Sequence, residues 1–244
     1  MTITDASPAA PPSAPPSAPP TPDNVTFDLY RDVHKAIRVE LFSLTIEAGR
    51  LDPSDQVARQ ALADHVTWVV DWLAQHAHHE DTRIEPDLRR LLPDLAAVVH
   101  DDHAGFDTRC ESLLELAADA VTATGTDRRR LGHRLYLDLA SFCSAYLAHQ
   151  DLEERLIMPC LEAALGVPRI VEIHHSILGS ISPEDMATAL ALMIPAINID
   201  DRVEMLGGIK ADAPPEVFEG VWALAASTLA IGDLQILGSR LGLG

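Results

Sequence analysis

The sequence predicts an all-α protein, an up-down-up-down four-helix bundle with a C-terminal helical extension. Three observations carry that expectation. Ala and Leu are abundant, while alternating runs of Val, Ile and aromatic residues are scarce, which favours helices over sheet. Four long segments carry apolar residues at helical spacing, separated by short turns rich in Gly, Pro and Asp. A short pattern also occurs twice: His76-Ala-His-His-Glu80 precedes Pro86, and His149-Gln-Asp-Leu-Glu153 precedes Pro159. Each copy reads H-x-x-x-E, then an acidic residue (Asp81, Glu154), then a proline six positions after the glutamate.

The elements follow in order. Residues 1–23 are nearly all Ala, Pro, Ser and Thr and have almost nothing to bury, so a disordered tail is expected there. The bundle is expected over residues 24–167. Its first helix runs from about Asp28 to Ala48, with Leu29, Val33, Ile37, Leu41, Leu44 and Ile46 as its stripe. Gly49 and then Asp52-Pro53-Ser54 end it and cap the second helix, about Ser54 to Leu91. Pro86 lies inside that helix and should kink or end it near Glu80. Leu92-Pro93-Asp94 leads to a third helix, about Asp94 to Ala123, and Gly125-Thr126-Asp127 to a fourth, about Asp127 to Leu165. In the fourth helix Pro159 takes the part of Pro86. Residues 168–244 are cut by Pro183, Pro195, Pro214 and Pro215 into short helices, with starts at Ser182-Pro183 and Asn198. Leu190, Leu192, Met193, Ile194 and Ile197 require burial, so the extension is expected to pack on the bundle or to form an oligomer surface.

Composition narrows the function. The chain has 244 residues and is 47% apolar, enough for a large core. Its formal net charge of −19 argues against a nucleic-acid partner and against docking on an anionic membrane. No run of about 18 apolar residues is present, so no spanning helix is expected. Cys110, Cys143 and Cys160 are odd in number and form no CxxC, which suggests structural thiols in a reducing cytoplasm. The first lysine or arginine is Arg31 and no apolar leader precedes it, so a secretory signal is not expected.

The doubled motif carries the chemistry. Residues four apart on a helix share a face, so each copy presents one imidazole and one carboxylate to the same point. One such pair is an ordinary surface pair. Two, on facing helices, supply a shared cavity, which is how a bundle builds a dinuclear metal site. A lone histidine precedes each copy, His34 and His103, at separations of 42 and 46 residues. The near-equal spacing argues for an internal duplication. The candidate site is therefore His34, His76, Glu80, His103, His149 and Glu153. Imidazole with carboxylate suits iron, manganese or zinc, and thiolate-rich structural zinc sites fit poorly.

The segments DVHKAIR, HAHHEDTRIEP, HDDHAGF and HQDLEERLIMP, within about residues 27 to 165, resemble the hemerythrin-like (HHE cation-binding) family. The later segment INIDDRVEMLGGIKADAPPEVFEGV looks like the C-terminal extension of its actinobacterial members. The resemblance implies a non-haem pair of iron ions with an oxo or hydroxo bridge, held by the six residues, with both glutamates bridging. It implies small-molecule ligands, namely peroxide, dioxygen or nitric oxide. The oxygen-carrying members use five His, one Glu and a bridging Asp, with HxxxH in the third helix. Here that helix reads His100-Asp-Asp-His103, and the fourth offers Glu153 where the carriers have Asp. This departure moves the expectation from reversible oxygen carriage to the handling of peroxide, nitric oxide or iron, catalase-like disproportionation of peroxide among them, with a non-catalytic sensor, carrier or store as the alternative.

The neighbouring residues are read more plainly. His78 lies off the motif face, and His79 is a solvated histidine or a proton shuttle at the rim. His100 competes with His103. Asp81 and Glu154 orient or solvate, while Asp102, His65 and His133 belong to the surface. Tyr146 is a core residue within reach of donating to a bound ligand. Trp68 and Trp72 form a packing stripe.

Overall fold

The structure is a computed structural model that describes residues 21–243. It is all-α, with no strand among the described residues. Four long helices build the bundle: α1 (Arg31–Arg50), α2 (Gln56–Arg83), α4 (Pro93–Thr122) and α5 (Asp127–Leu152). Each packs on its two neighbours in the order α1, α2, α4, α5, back to α1. Short turns force adjacent helices to run antiparallel. Asp55 caps α2 by accepting from the amide of Ala58 at 3.0 Å, one residue after the Ser54 expected for that role. Ser54 instead gives its amide and hydroxyl to Asp52. Gly125, with φ of 56°, turns α4 into α5 in a conformation that side chains resist.

Both prolines interrupt their helices, in two different ways. Proline lacks the amide that the preceding turn requires. Before Pro86 the helix breaks: α2 ends at Arg83, and a short α3 (Glu85–Leu91) restarts beyond Ile84. Before Pro159 the chain widens into a π-helical stretch, Glu153–Ile157, and then resumes as α6 (Met158–Leu165). The single fourth helix expected over residues 127–165 is thus three pieces, because one missing amide is absorbed by a longer-range bond from Met158 to the Glu153 carbonyl.

The bundle has two core regions. Ile37, Leu41, Leu44, Leu62, Val66, Val69, Leu73, Leu113, Leu135 and Leu139 fill the end away from the prolines. Each such side chain contributes about 1.5–3 kcal/mol on burial. Tyr30, Ile84, Leu88, Val99, Ile157, Met158 and Leu161 fill the proline end. The site lies between them.

The tail expected over residues 1–23 lies outside the described residues as far as residue 20. Beyond it, Pro22–Asn24 form one 3₁₀ turn rather than free chain. The amides of Thr26 and Phe27 donate to the Glu162 carboxylate of α6, which ties this segment down.

Gly166, with φ of 77°, turns the chain rather than ending the helical run, and α7 (Val167–Leu178) follows against α6 and α2. Then come α8 (Pro183–Ala196), α9 (Ile199–Asp212), α10 (Pro215–Thr228) and α11 (Ile231–Arg240). Ser182 and Asn198 cap α8 and α9 through their side chains, as their sequences predict. Leu190 and Ile194 do not enter the bundle core. With Leu206, Val221, Ala225 and Leu237 they form a separate core of their own. Buried Arg202 ties this unit together, donating to the carbonyls of Ile194 and Pro195 and pairing with Asp233. The unit meets the bundle along α1 through α8. Arg31 also bonds Glu204 at 3.0 Å, and Lys35 pairs with Asp201. No helix among the described residues is long and apolar enough to cross a membrane.

Candidate metal centre

Six side chains from four helices meet between the two bundle cores. α1 supplies His34, α2 supplies His76 and Glu80, α4 supplies His103, and α5 supplies His149. Glu153 is the first residue of the π stretch. All but His76 are buried, and His76 is nearly so, with a side chain only 10% exposed.

Their atoms form two groups. In one, Nε2 of His34 and Nε2 of His76 stand 3.2 Å apart. Nε2 of His76 is 3.1 Å from Oε1 of Glu80, and Nε2 of His34 is 3.5 Å from Oε2 of Glu153. In the other, Nε2 of His103 and Nε2 of His149 are also 3.2 Å apart. Nε2 of His103 is 3.3 Å from Oε2 of Glu80, and Nε2 of His149 is 3.2 Å from Oε1 of Glu153. Each glutamate therefore gives one oxygen to each group. The H-x-x-x-E spacing produces this directly, because i and i+4 stack on one face.

The imidazoles are oriented from behind. Nδ1 of His34 donates to Glu154 at 3.0 Å, Nδ1 of His103 to Asp81 at 2.8 Å, and Nδ1 of His149 to Asp102 at 3.1 Å. An ionised carboxylate only accepts, so Nδ1 carries the hydrogen and Nε2 is left to turn a lone pair inward. That is the tautomer a metal requires. Glu154 is itself gripped by Arg38 through two bonds, of 2.8 and 3.0 Å.

The electrostatics agree with a cation at the centre. None of the four oxygens of Glu80 and Glu153 has a hydrogen-bond donor, although all are buried. Unpaired buried charge is costly, and a metal ion is the partner that removes the cost. Burial pushes the Glu80 carboxyl up, but His76 and His103 outweigh it and hold it well below the usual range. Burial also disfavours a charged His103, yet Glu80 and Asp81 push that ring up to about 9, so without a metal its Nε2 holds a proton that a bound cation would displace. Glu154 is raised by burial and lowered further by His34 and Arg38, to about 2. Glu80 and Glu154 are thus carboxylates surrounded by groups that take positive charge.

Two phenols flank the groups. Tyr30 lies tilted 5.0 Å from His34, and Tyr146 lies 5.7 Å from His149, between ring centroids. Phe106 completes the second side, 5.3 Å from His149. Burial first, and then Glu153 and Glu80, raise the Tyr30 hydroxyl well above its usual value. Burial, then the same two carboxylates, does so for Tyr146. Both phenols stay protonated at neutral pH and remain able to donate.

The structure brings the six sequence-predicted residues together and separates the rivals from them. His100 is 64% exposed and faces Glu85 rather than the site. His78 and His133 are exposed. His65 is not a plain surface group: its two ring nitrogens contact Glu47 and Glu40 at 2.9 and 3.0 Å. Asp102 is half-exposed as expected, but it also serves His149, a role that sequence reading missed. Its place beside His103 was the available signal. Tyr30, four residues before His34, carries no motif signal.

Residues 25–161 match the family described as the hemerythrin HHE cation-binding domain. No curated protein and no solved structure matches the chain.

Proposed function

We infer the function of this chain from one premise: it belongs to the hemerythrin HHE cation-binding domain family. With the buried His/Glu cluster, that makes it a metal-binding protein. We propose that the metal is a pair of iron ions, held by His34, His76, Glu80, His103, His149 and Glu153, and that the pair binds or decomposes peroxide, dioxygen or nitric oxide.

One observation carries the proposal. Glu80 and Glu153 each give one oxygen to each histidine pair. Carboxylates shared in this way suit two ions rather than one. Charge accounting supports the same number. The two glutamates with Asp81, Asp102 and Glu154 bring five negative charges, and Arg38 returns one. The remaining four balance two divalent cations.

Each histidine pair with its two oxygens offers four donors, which leaves open positions on a metal that favours five or six. When bound, an iron pair supplies two-electron redox chemistry at oxygen–oxygen bonds. The protein supplies the rest. Tyr30 and Tyr146 lie beside the centre as protonated phenols, and the two flanking cores exclude bulk water. Asp81, Asp102 and Glu154 fix the rings. The ligand set has the same number of carboxylates as that of the oxygen carriers but one histidine fewer, and the extra open position favours peroxide turnover over reversible oxygen carriage. Free Cys110, Cys143 and Cys160 agree with a cytoplasmic setting.

The test compares wild type with His103→Ala at matched total iron, measuring oxygen evolved from peroxide. Faster evolution by the wild type is expected. Equal rates would assign the activity to loose iron, and absence of stoichiometric iron would remove the proposal altogether.

A second reading, a non-catalytic sensor or store, is favoured by a separate observation. Arg31 and Lys35 flank His34 on α1 and pair with Asp201 and Glu204 of the C-terminal unit. On this reading, these pairs would be the route from occupancy at His34 to that unit. Stable, reversible dioxygen or nitric oxide binding without peroxide turnover would favour it.

A further inference from the structure

The internal duplication is broken at one position beside the site. Its two halves otherwise match closely. The acidic residue after each H-x-x-x-E reaches across to the lone histidine of the other half: Asp81 to His103, Glu154 to His34. The residue before the lone histidine makes the remaining link. In the second half it is Asp102, which accepts from Nδ1 of His149 at 3.1 Å. In the first half the equivalent residue, before His34, is Val33. Valine offers no acceptor, and Nδ1 of His76 has no hydrogen-bond partner among the described residues.

The outer carboxylates also differ in strength. Asp81 and Asp102 pair with no arginine or lysine among the described residues. Glu154 spends much of its charge on Arg38, bonded at 2.8 and 3.0 Å. The His103–His149 pair is thus backed by two undivided carboxylates, and the His34–His76 pair by one divided carboxylate. A carboxylate behind an imidazole raises the basicity of its other nitrogen and fixes the ring, and loss of such a partner costs about 10- to 100-fold in metal affinity.

We propose that the two metal positions of this chain are unequal. The His103–His149 position binds tightly and fills first, the His34–His76 position is weaker and exchangeable, and Asp102, standing where the other half has Val33, sets the difference. This rests on the dinuclear reading above.

The experiment titrates the metal-free full chain with ferrous ion alone, anaerobically, by calorimetry. Two steps are expected, separated by about tenfold or more. His34→Ala should remove the weaker step and His103→Ala the tighter. Asp102→Asn, a change at the half-exposed rim, should loosen the tight step by about 10- to 100-fold and merge it with the weak one. Val33→Asp should tighten the weak step; because Val33 packs against the core, Asp102→Asn decides the matter if that variant does not fold. Two equal steps in the wild type, or an unchanged gap in Asp102→Asn, would overturn the proposal while leaving the dinuclear reading intact. Binding of fewer than two ions would overturn that reading instead, and the proposal with it.

Discussion

The two hairpins of the bundle, α1 with α2 and α4 with α5, deliver the same inner atoms by different outer means. Each provides a lone histidine and an H-x-x-x-E, and the Nε2–Nε2 separation is 3.2 Å in both halves. Around that ring they diverge. One helix breaks at Ile84, while the other widens into a π stretch that begins at the site residue Glu153. One half sets Asp102 behind its motif histidine and the other sets Val33 at the equivalent position. The inner ring is specified by helical spacing and tolerates little. The outer layer is specified residue by residue, and there the two halves are free to differ.

The largest expected effect tests whether the halves share their centre. Glu80→Ala and Glu153→Ala should each lose both metals, since each carboxylate contacts both histidine pairs. His34→Ala should lose one. Metal analysis of the purified variants reads this directly, and a loss of one ion per glutamate variant would mean that each half holds its own ion.

Metal removal comes next. The four buried oxygens of Glu80 and Glu153 lack donors without it. A ligand present at a thousandfold excess over its Kd adds about 4 kcal/mol of stability. In a chain of this size each kcal/mol moves Tm by roughly 2–4 °C. Iron loading should therefore raise Tm by roughly 8–16 °C. A rise of a degree or two would mean that the carboxylates are satisfied in some other way.

The prolines sharpen the comparison further. Glu80 lies four residues before its break, whereas Glu153 starts the π stretch. Pro159→Ala should let residues 153–157 return to α-helical bonding and shift Glu153, weakening metal binding. Pro86→Ala should leave affinity nearly unchanged. Stability of the metal-free protein should move by about 1 kcal/mol or less in both. Equal affinity losses would show that the π stretch has no special part in placing Glu153.

What the sequence made legible follows the same division. The bundle and the six inner residues could be read from it, because i,i+4 spacing and repetition are local signals. The outer layer could be read only in part. Asp81 and Glu154 stood out by following the glutamates, whereas Asp102 resembled any half-exposed acid. Tyr30 reaches His34 only through the turn that starts α1, with Asp28 capping the amides of Tyr30 and Arg31. Two prolines in matching positions gave no warning of one break and one π stretch, since that choice depends on tertiary packing. Leu190 and Ile194 announced burial but not their partners, and a core assembled from four short helices has no long period to reveal it.

The smallest effect concerns a histidine that resembles a ligand and is not placed as one. Three of the four site histidines, His34, His103 and His149, give one nitrogen to a carboxylate and turn the other inward. His65 spends both, on Glu47 and Glu40. Burial disfavours its charged form, but the two carboxylates outweigh this and raise its pKa above 6.5. A histidine raised on folding contributes stability that is fully present below the unfolded pKa and is lost as pH rises through the folded one. His65→Gln should therefore lower stability at pH 5.5–6 and converge with wild type at alkaline pH. The site is partly exposed and screened, so the difference should be about 0.2–1 kcal/mol, the range of exposed ion pairs. Metal content should stay at the wild-type value. Denaturant melts across pH, with metal analysis alongside, check both halves of the expectation. A loss of metal in His65→Gln would mean that the distal bundle and the ring are coupled, and the division between inner ring and outer layer would have to be redrawn.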